Sequence, residues 1–224
     1  MAKETNKQTE VNVGEVLSKS EAFITKNQKT ILGSIAAIIV LVAGVMCYNN
    51  FISAPRELKA AEALYAGEQY FNAGAFETAL NGDSLGYVGF VQIADEFGST
   101  EAGNLANAYA GISLAQLKKY DEALAYLNDF DADDAIIAPA VLGALGNCYV
   151  NLGQEEKGAS TLMKAAAEAD NNSLSPIYLL QAGQVYEKLG KNSDAVKAYT
   201  MIKEKYFSSM HAYDIDKYIE RASN

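Results

Sequence analysis

The stretch Pro139-Ala-Val-Leu-Gly-Ala-Leu-Gly-Asn-Cys-Tyr149, followed by Gly153 and Gly158, decides the fold of this 224-residue chain. Its frame is Gly146, Tyr149 and the small residue Gly158. The frame recurs as Gly67, Tyr70 and Ala79, as Gly111, Leu114 and Ala123, and as Gly183, Tyr186 and Ala195. The anchoring glycines are 44, 35 and 37 positions apart. Four copies in register predict stacked supersecondary units, and such stacks usually bind partners instead of catalysing reactions. Gly74, Gly153 and Gly190 fall where a helix would have to stop and turn, with Lys118 in that place in the second copy and Phe76 and Tyr120 two residues beyond the turn position. Each copy reads as helix, short turn, helix. A small anchor lets the paired helix approach, and the Tyr or Leu beside it fills the remaining space.

These residues resemble the tetratricopeptide repeat, a helix–turn–helix unit of about 34 residues. The third copy and the fourth, Pro176 through Ile202, fit best. The third carries Gln154-Glu155 where an aromatic is usual, and the first is stretched by Asn81-Gly-Asp-Ser-Leu-Gly86 before Tyr87 to Phe97 resumes a helical pattern. The expectation is an all-α chain: one N-terminal transmembrane helix, an α-solenoid of about four degenerate repeats, and a C-terminal capping helix. The repeats are placed at 60–97 with the insertion, 104–134, 139–172 and 176–207, within a domain spanning 53–224. Residues 208–223 form the capping helix, with Tyr213, Ile215, Tyr218, Ile219 and Ala222 on its apolar period.

No charge occurs from Thr30 to Pro55. About 20 helical residues cross a bilayer core of roughly 30 Å, so residues 31–52 suffice, with Tyr48 and Phe51 near one interface. The preceding 30 residues are long for a signal-peptide n-region, and no small-x-small cleavage site follows at the expected place, which favours a retained anchor. Lys19, Lys26 and Lys29 before the span, against Arg56 and Lys59 after it, favour a cytosolic N-terminus. Gly33 and Ala37 are a small-xxx-small pair that could meet another helix. Within the tail (1–30), Val13, Val16, Leu17, Ser20, Phe23 and Ile24 recur at helical spacing, either as an interfacial helix or as a continuation of the span; residues 1–10 read as a disordered tail.

Residues 53–224 hold 13 basic and 24 acidic residues. That balance disfavours nucleic acid, whose binding rests on Lys and Arg meeting phosphate, and it also serves simple solubility. Cys47 and Cys148 are too separated in role to pair, and His211 has no second His to build a metal site or triad. Asp129, Asp131 and Asp133 begin like a calcium loop, but Asp134 stands where Gly is needed and Ala140 where the bidentate Glu is needed. No catalytic, cofactor-binding or metal-binding residues are assigned, and neither an enzymatic activity nor a small-molecule substrate is expected.

The repeat frame nominates a protein-binding groove along the first helices: Leu64, Glu68, Phe71, Ala108, Ile112, Gly143, Asn147, Asn151, Leu180, Gln184 and Glu187. Asn147, Asn151 and Gln184 would hydrogen-bond a peptide backbone beside apolar Leu64, Phe71, Ile112 and Leu180; alternatively several of these side chains pack against the inserted corner. Ala102 to Gly111, then Lys119-Tyr-Asp-Glu-Ala-Leu124, behind an apolar span, resemble the YfgM-type tetratricopeptide proteins of bacterial envelopes. The resemblance implies an accessory subunit of the Sec translocon in the inner membrane, with a periplasmic repeat domain. Translocon subunits, a periplasmic folding factor and exported clients would be its partners. Two other classes stay open: a scaffold in another envelope machine, for outer-membrane protein assembly or cell division, and an enzyme-associated regulatory subunit with no chaperone activity. Asp83-Ser84-Leu85 matches the Asp-Ser/Thr-apolar acceptor that some bacteria O-glycosylate on exported proteins, or it is a turn with a helix-capping Ser.

Overall fold

A computed structural model describes residues 13–131 and 135–224, with side chains from residue 21 onward. The expected tail at 1–10, the side chains of Val13, Val16, Leu17 and Ser20, and Asp133 and Asp134 lie outside the described residues. The chain divides into two compact units, Met1–Ala54 and Pro55–Asn224.

In the first unit, α1 runs Val13–Tyr48 and ends in a π turn at Asn49–Ser53, where the Ala54 N–H bonds Asn49 O. None of the apolar stretch is buried within the protein, and Leu32, Ile38, Leu41, Val45 and Met46 are all exposed. A helix this apolar over this length meets the requirement for crossing a bilayer, and an N-terminal signal sequence meets the same requirement. A Cβ on Gly33 would touch nothing, so that surface has room for a neighbouring helix.

The second unit is all-α among its described residues. Its elements are α2 (Ala54–Asn72), α3 (Phe76–Asn81), α4 (Phe90–Phe97), α5 (Glu101–Gln116), α6 (Tyr120–Asp129), α7 (Ile137–Asn151), α8 (Glu155–Ala169), α9 (Ser175–Lys188), α10 (Asn192–Lys205) and α11 (Ile215–Ser223). Four helix pairs share one turn, atom for atom. The N–H groups of Ala75, Lys119, Gln154 and Lys191 reach back to the carbonyls of Tyr70, Leu114, Tyr149 and Tyr186 at 2.8–2.9 Å. The preceding N–H groups, of Gly74, Lys118, Gly153 and Gly190, bond Phe71, Ala115, Val150 and Glu187 at 2.9–3.1 Å. This is the left-handed C-cap that satisfies the last carbonyls of a helix. Its central residue has φ of 73°, 63°, 77° and 70° in the four copies, so Lys118 adopts the conformation that glycine adopts elsewhere. The residue after it N-caps the second helix with φ between −83° and −89°, and its carbonyl accepts from the small residue of the frame: Ala79, Ala123, Gly158 or Ala195. The Tyr or Leu of the signature therefore marks the last carbonyls of the first helix, and the small residue marks the first turn of the second.

The anchoring glycines explain the pairing. A Cβ on Gly111, Gly146 or Gly183 would fall 2.5 Å from Leu127 Cγ, 2.7 Å from Leu162 Cγ and 2.2 Å from Tyr199 Cε1 respectively. Those partners lie at one constant interval along the chain and are buried. From Gly67 the same interval lands on Asp83, which cannot serve because α3 ends at Asn81 and Gly82 turns away with φ 88°. Tyr87 and Phe90 take its place, their Oη and Cε1 lying 2.2 and 2.4 Å from the Gly67 Cβ position. The stretched first repeat is thus a truncated second helix whose filler arrives from the inserted loop and α4. Glu57 of α2 then caps α5, accepting from the N–H groups of Glu101 (2.8 Å) and Ala102 (2.9 Å).

The core runs along the stack in two clusters, one spanning Ala60 to Tyr149 and one spanning Leu162 to Ala222. Small residues such as Ala106, Ala110, Ala165, Ala182 and Ala198 dominate its buried stripes, which lets helices pack closely. The closing element differs from a single helix over 208–223. A 3₁₀ turn at Met210–Asp214 precedes α11, and Tyr213 is 90% exposed rather than on the apolar face, while Ile215 and Ala222 are buried. Ser209 N-caps this turn in an extended conformation (ψ 155°), and its carbonyl accepts from the Ala212 N–H at 3.2 Å, the i→i+3 bond of 3₁₀ winding.

Candidate functional site

The first helices α2, α5, α7 and α9 carry the positions nominated for partner binding. The residue after each anchoring glycine faces the residue two places before the next anchor. Tyr109 Oη donates to Glu68 Oε1 at 3.0 Å, and Asn147 Nδ2 donates to Gln181 Oε1 at 3.4 Å. The equivalent pair, Ile112 and Ala144, is half-buried against the core. Glu68, Ile112 and Asn147 therefore sit on the seams between successive repeats. Burial, with the Glu68 carboxylate adding to it, pushes the Tyr109 phenol up to about 12, so it is a neutral donor at physiological pH.

Other nominated residues divide by exposure. Leu64 and Ala108 are buried, and Gly143 is covered by Tyr178, whose Cε1 lies 2.3 Å from the Gly143 Cβ position. These three contribute their surface to packing between repeats. Phe71 is half-buried in an aromatic group, edge-on to Phe76, Phe90 and Tyr109 at 5.0–6.5 Å. Leu180 is half-buried against the second core cluster. Glu187 holds Arg221 in a two-pronged pair, Arg221 Nε to Oε1 at 3.1 Å and Nη2 to Oε2 at 2.5 Å, which ties α9 to α11. Asn151 and Gln184 are exposed, and the Asn151 amide nitrogen donates back to Asn147 O at 2.8 Å. On this face Asn147, Gln181, Asn151 and Gln184 supply uncharged amide groups, which suit the backbone of a polypeptide partner.

Tyr109, Gln181 and Arg221 were not among the nominated residues. The first two could have been found by extending the frame two places before each anchor, whereas Arg221 gives no sequence signal because its partner lies on another helix. Asp129 and Asp131 are exposed, and no group of three or more His, Cys, Asp or Glu side chains among the described residues is placed to hold a metal. Cys148 is fully buried, and burial pushes its thiol up to about 11, which makes it an apolar filler. Beside α2, a cleft of about 770 Å³ opens between the Lys59–Tyr70 face and the inserted loop, lined by Glu62, Ala66, Asp83, Leu85 and Val88.

Stacked helix pairs joined by one repeated turn define a helical-repeat interaction module. Residues 139–172, which hold α7 and α8, match the tetratricopeptide repeat. The other three pairs share its cap, and those anchored at Gly111 and Gly183 share its anchor geometry as well, so the unit is a tetratricopeptide-type solenoid. No curated protein is similar to the chain in sequence. Repeats of this kind bind other proteins and are typically non-catalytic, and this one follows a helix apolar enough to cross a membrane.

Proposed function

We propose that the chain is a membrane-tethered protein-binding module of the bacterial inner membrane, working as an accessory factor at the Sec translocon. In this reading α1 is a retained anchor, the N-terminus is cytosolic, and the repeats stand in the periplasm, where they receive exported proteins beside a folding factor. The observation that carries the reading is the presence, in one chain, of an unburied apolar helix and a repeat unit whose first helices expose Asn151 and Gln184 beside the half-buried Asn147–Gln181 pair. Uncharged amides can hydrogen-bond an extended backbone of any sequence, as a factor meeting many clients requires. The acidic balance of residues 53–224 keeps the unit off an anionic leaflet.

The test is crosslinking in intact membranes from a photoreactive residue placed at position 151 or 184, with partners identified by mass spectrometry. Translocon subunits and nascent exported chains are the expected products. Recovery of only outer-membrane assembly or cell-division proteins overturns the translocon assignment in favour of a scaffold in those machines. Protease added to spheroplasts should digest the repeat unit; full protection refutes the proposed orientation.

A further inference from the structure

The inserted loop of the first repeat does more than displace α3. Asp83-Ser84-Leu85 is the single Asp-Ser/Thr-apolar triplet in the 224-residue sequence, and Ser84 caps no helix, because α4 begins at Phe90 with Gly89 as its N-cap. Ser84 and Leu85 instead form the tip of a tight turn. Its base is pinned. The Asp83 carboxylate accepts from Tyr70 Oη and from the N–H groups of Leu85 (2.8 Å) and Tyr87 (2.9 Å), and Asp83 N–H donates to Tyr87 O at 2.8 Å. Tyr87 Oη anchors the other side on Ala79 O at 2.7 Å. Gly82 and Gly89, at φ 88° and 90°, let the two strands of the loop touch: a Cβ on either would lie 2.2 Å from a carbonyl oxygen of the facing segment.

Against this fixed base the tip is free. Ser84 is exposed and its hydroxyl has no hydrogen-bond partner among the described residues. Leu85 is 90% exposed although it is a large aliphatic side chain. Neither side chain has a role in the fold, yet the loop holds both outward in one conformation. A modifying enzyme needs such a segment: an accessible nucleophile, an adjacent apolar side chain to grip, and a backbone whose ordering cost is already met.

We propose that Ser84 is an O-glycosylation site. The co-substrate is a sugar activated as a glycosyl diphosphate, and the catalyst is a glycosyltransferase of the envelope. In the step Ser84 Oγ attacks the anomeric carbon, forming a C1–Oγ bond. The C1–O bond to the diphosphate breaks with its electron pair, which leaves as the diphosphate anion, and the hydroxyl proton passes to a base of the transferase. No oxidation or reduction occurs. The product places a hydrophilic, bulky group between Asp83 and Leu85, two residues that line the cleft beside α2.

The site rests on the proposed export of the repeat unit, and the test separates the two. The full chain is purified in detergent from the membranes of its own bacterium, and the tryptic peptide 60–118 is analysed by mass spectrometry with fragmentation that retains glycans. The expected result is a mass excess of whole sugar residues located on Ser84, lost completely in Ser84→Ala and in Leu85→Asp and kept in Ser84→Thr. An unmodified peptide from cells whose spheroplasts expose the repeat unit to protease overturns the site alone. An unmodified peptide from a protected unit overturns the orientation and the site together. A glycan on Thr78, Ser99, Thr100 or Ser113 in place of Ser84 also refutes the assignment.

Discussion

Replacing Lys118 with Gly should stabilise the repeat unit, because the second copy performs with lysine a turn that the other three perform with glycine. Lys118 holds φ at 63° with its side chain exposed. An L-residue in the left-handed region costs about 1–2 kcal/mol, and glycine's extra unfolded-state entropy returns roughly 0.5–1 kcal/mol of the gain. The net is about 0.5–1 kcal/mol of stabilisation. For a domain of this size each kcal/mol moves the melting midpoint by about 2–4 °C, so K118G should melt about 1–4 °C higher. Two reciprocal variants test the cause. Gly153→Lys and Gly190→Lys should each destabilise by about 1 kcal/mol, and the cost can only be conformational, since a Cβ at either position meets nothing within 4 Å. Asp170→Gly is the contrast. Asp170 is also left-handed, at φ 40°, but its carboxylate accepts from Tyr206 Oη at 3.0 Å and pairs with Lys205 at 2.5 Å, so glycine there should bring no gain. The assay is urea unfolding of the full chain in detergent, followed by far-UV circular dichroism, with amide hydrogen exchange of α5 and α6 as the local readout. A K118G midpoint at or below that of the parent, with unchanged exchange in α5 and α6, would refute the account of the turn.

Gly183→Ala should lower the urea midpoint by about 1–3 kcal/mol equivalent, since its methyl would sit 2.2 Å from the buried Tyr199 ring. Glu57→Ala should cost about 1 kcal/mol and accelerate exchange at the Glu101 and Ala102 amides, which lose their shared carboxylate acceptor. The Tyr70 hydroxyl, then the Tyr87 amide, hold the Asp83 carboxyl below its usual range. Its contribution to the loop is therefore present above the unfolded value near pH 4 and is lost as pH falls through the lower folded value. Protection of the Leu85 and Tyr87 amides, taken relative to their intrinsic exchange rate at each pH, should fall across that acid window in the parent, and Asp83→Asn should remove the step.

Much of the fold was legible because a repeat states its rules several times. Gly67, Gly111, Gly146 and Gly183 occur where a second helix must approach closely, and Gly74, Gly153 and Gly190 where a helix must reverse hand. These are backbone requirements that only small residues meet, so they surface in the sequence at fixed spacing. The nominated groove was legible as a face but less so in its detail. Leu64 and Ala108 carry no mark that separates a residue lining a groove from one packed against the next repeat, because the distinction depends on how far adjacent units approach. The 3₁₀ turn at Met210–Asp214 escaped because the apolar period of Ile215, Tyr218, Ile219 and Ala222 runs smoothly backwards into residues whose tighter winding leaves no mark in side-chain hydropathy.

The sequence by itself determined the helical periodicity, the four-fold turn and an apolar span of membrane-crossing length, each a local property of side-chain size, backbone freedom or hydropathy. Tertiary structure alone decided which side chain fills each glycine notch. It put Tyr87 and Phe90 against Gly67 where the frame pointed to Asp83, sent Glu57 to cap a helix more than 40 residues away, and fixed Ser84 at the tip of a pinned loop. Those outcomes turn on contacts between segments far apart in the chain, whose partners are chosen by space and unsatisfied hydrogen bonds once the helices have stacked, and no spacing rule records them.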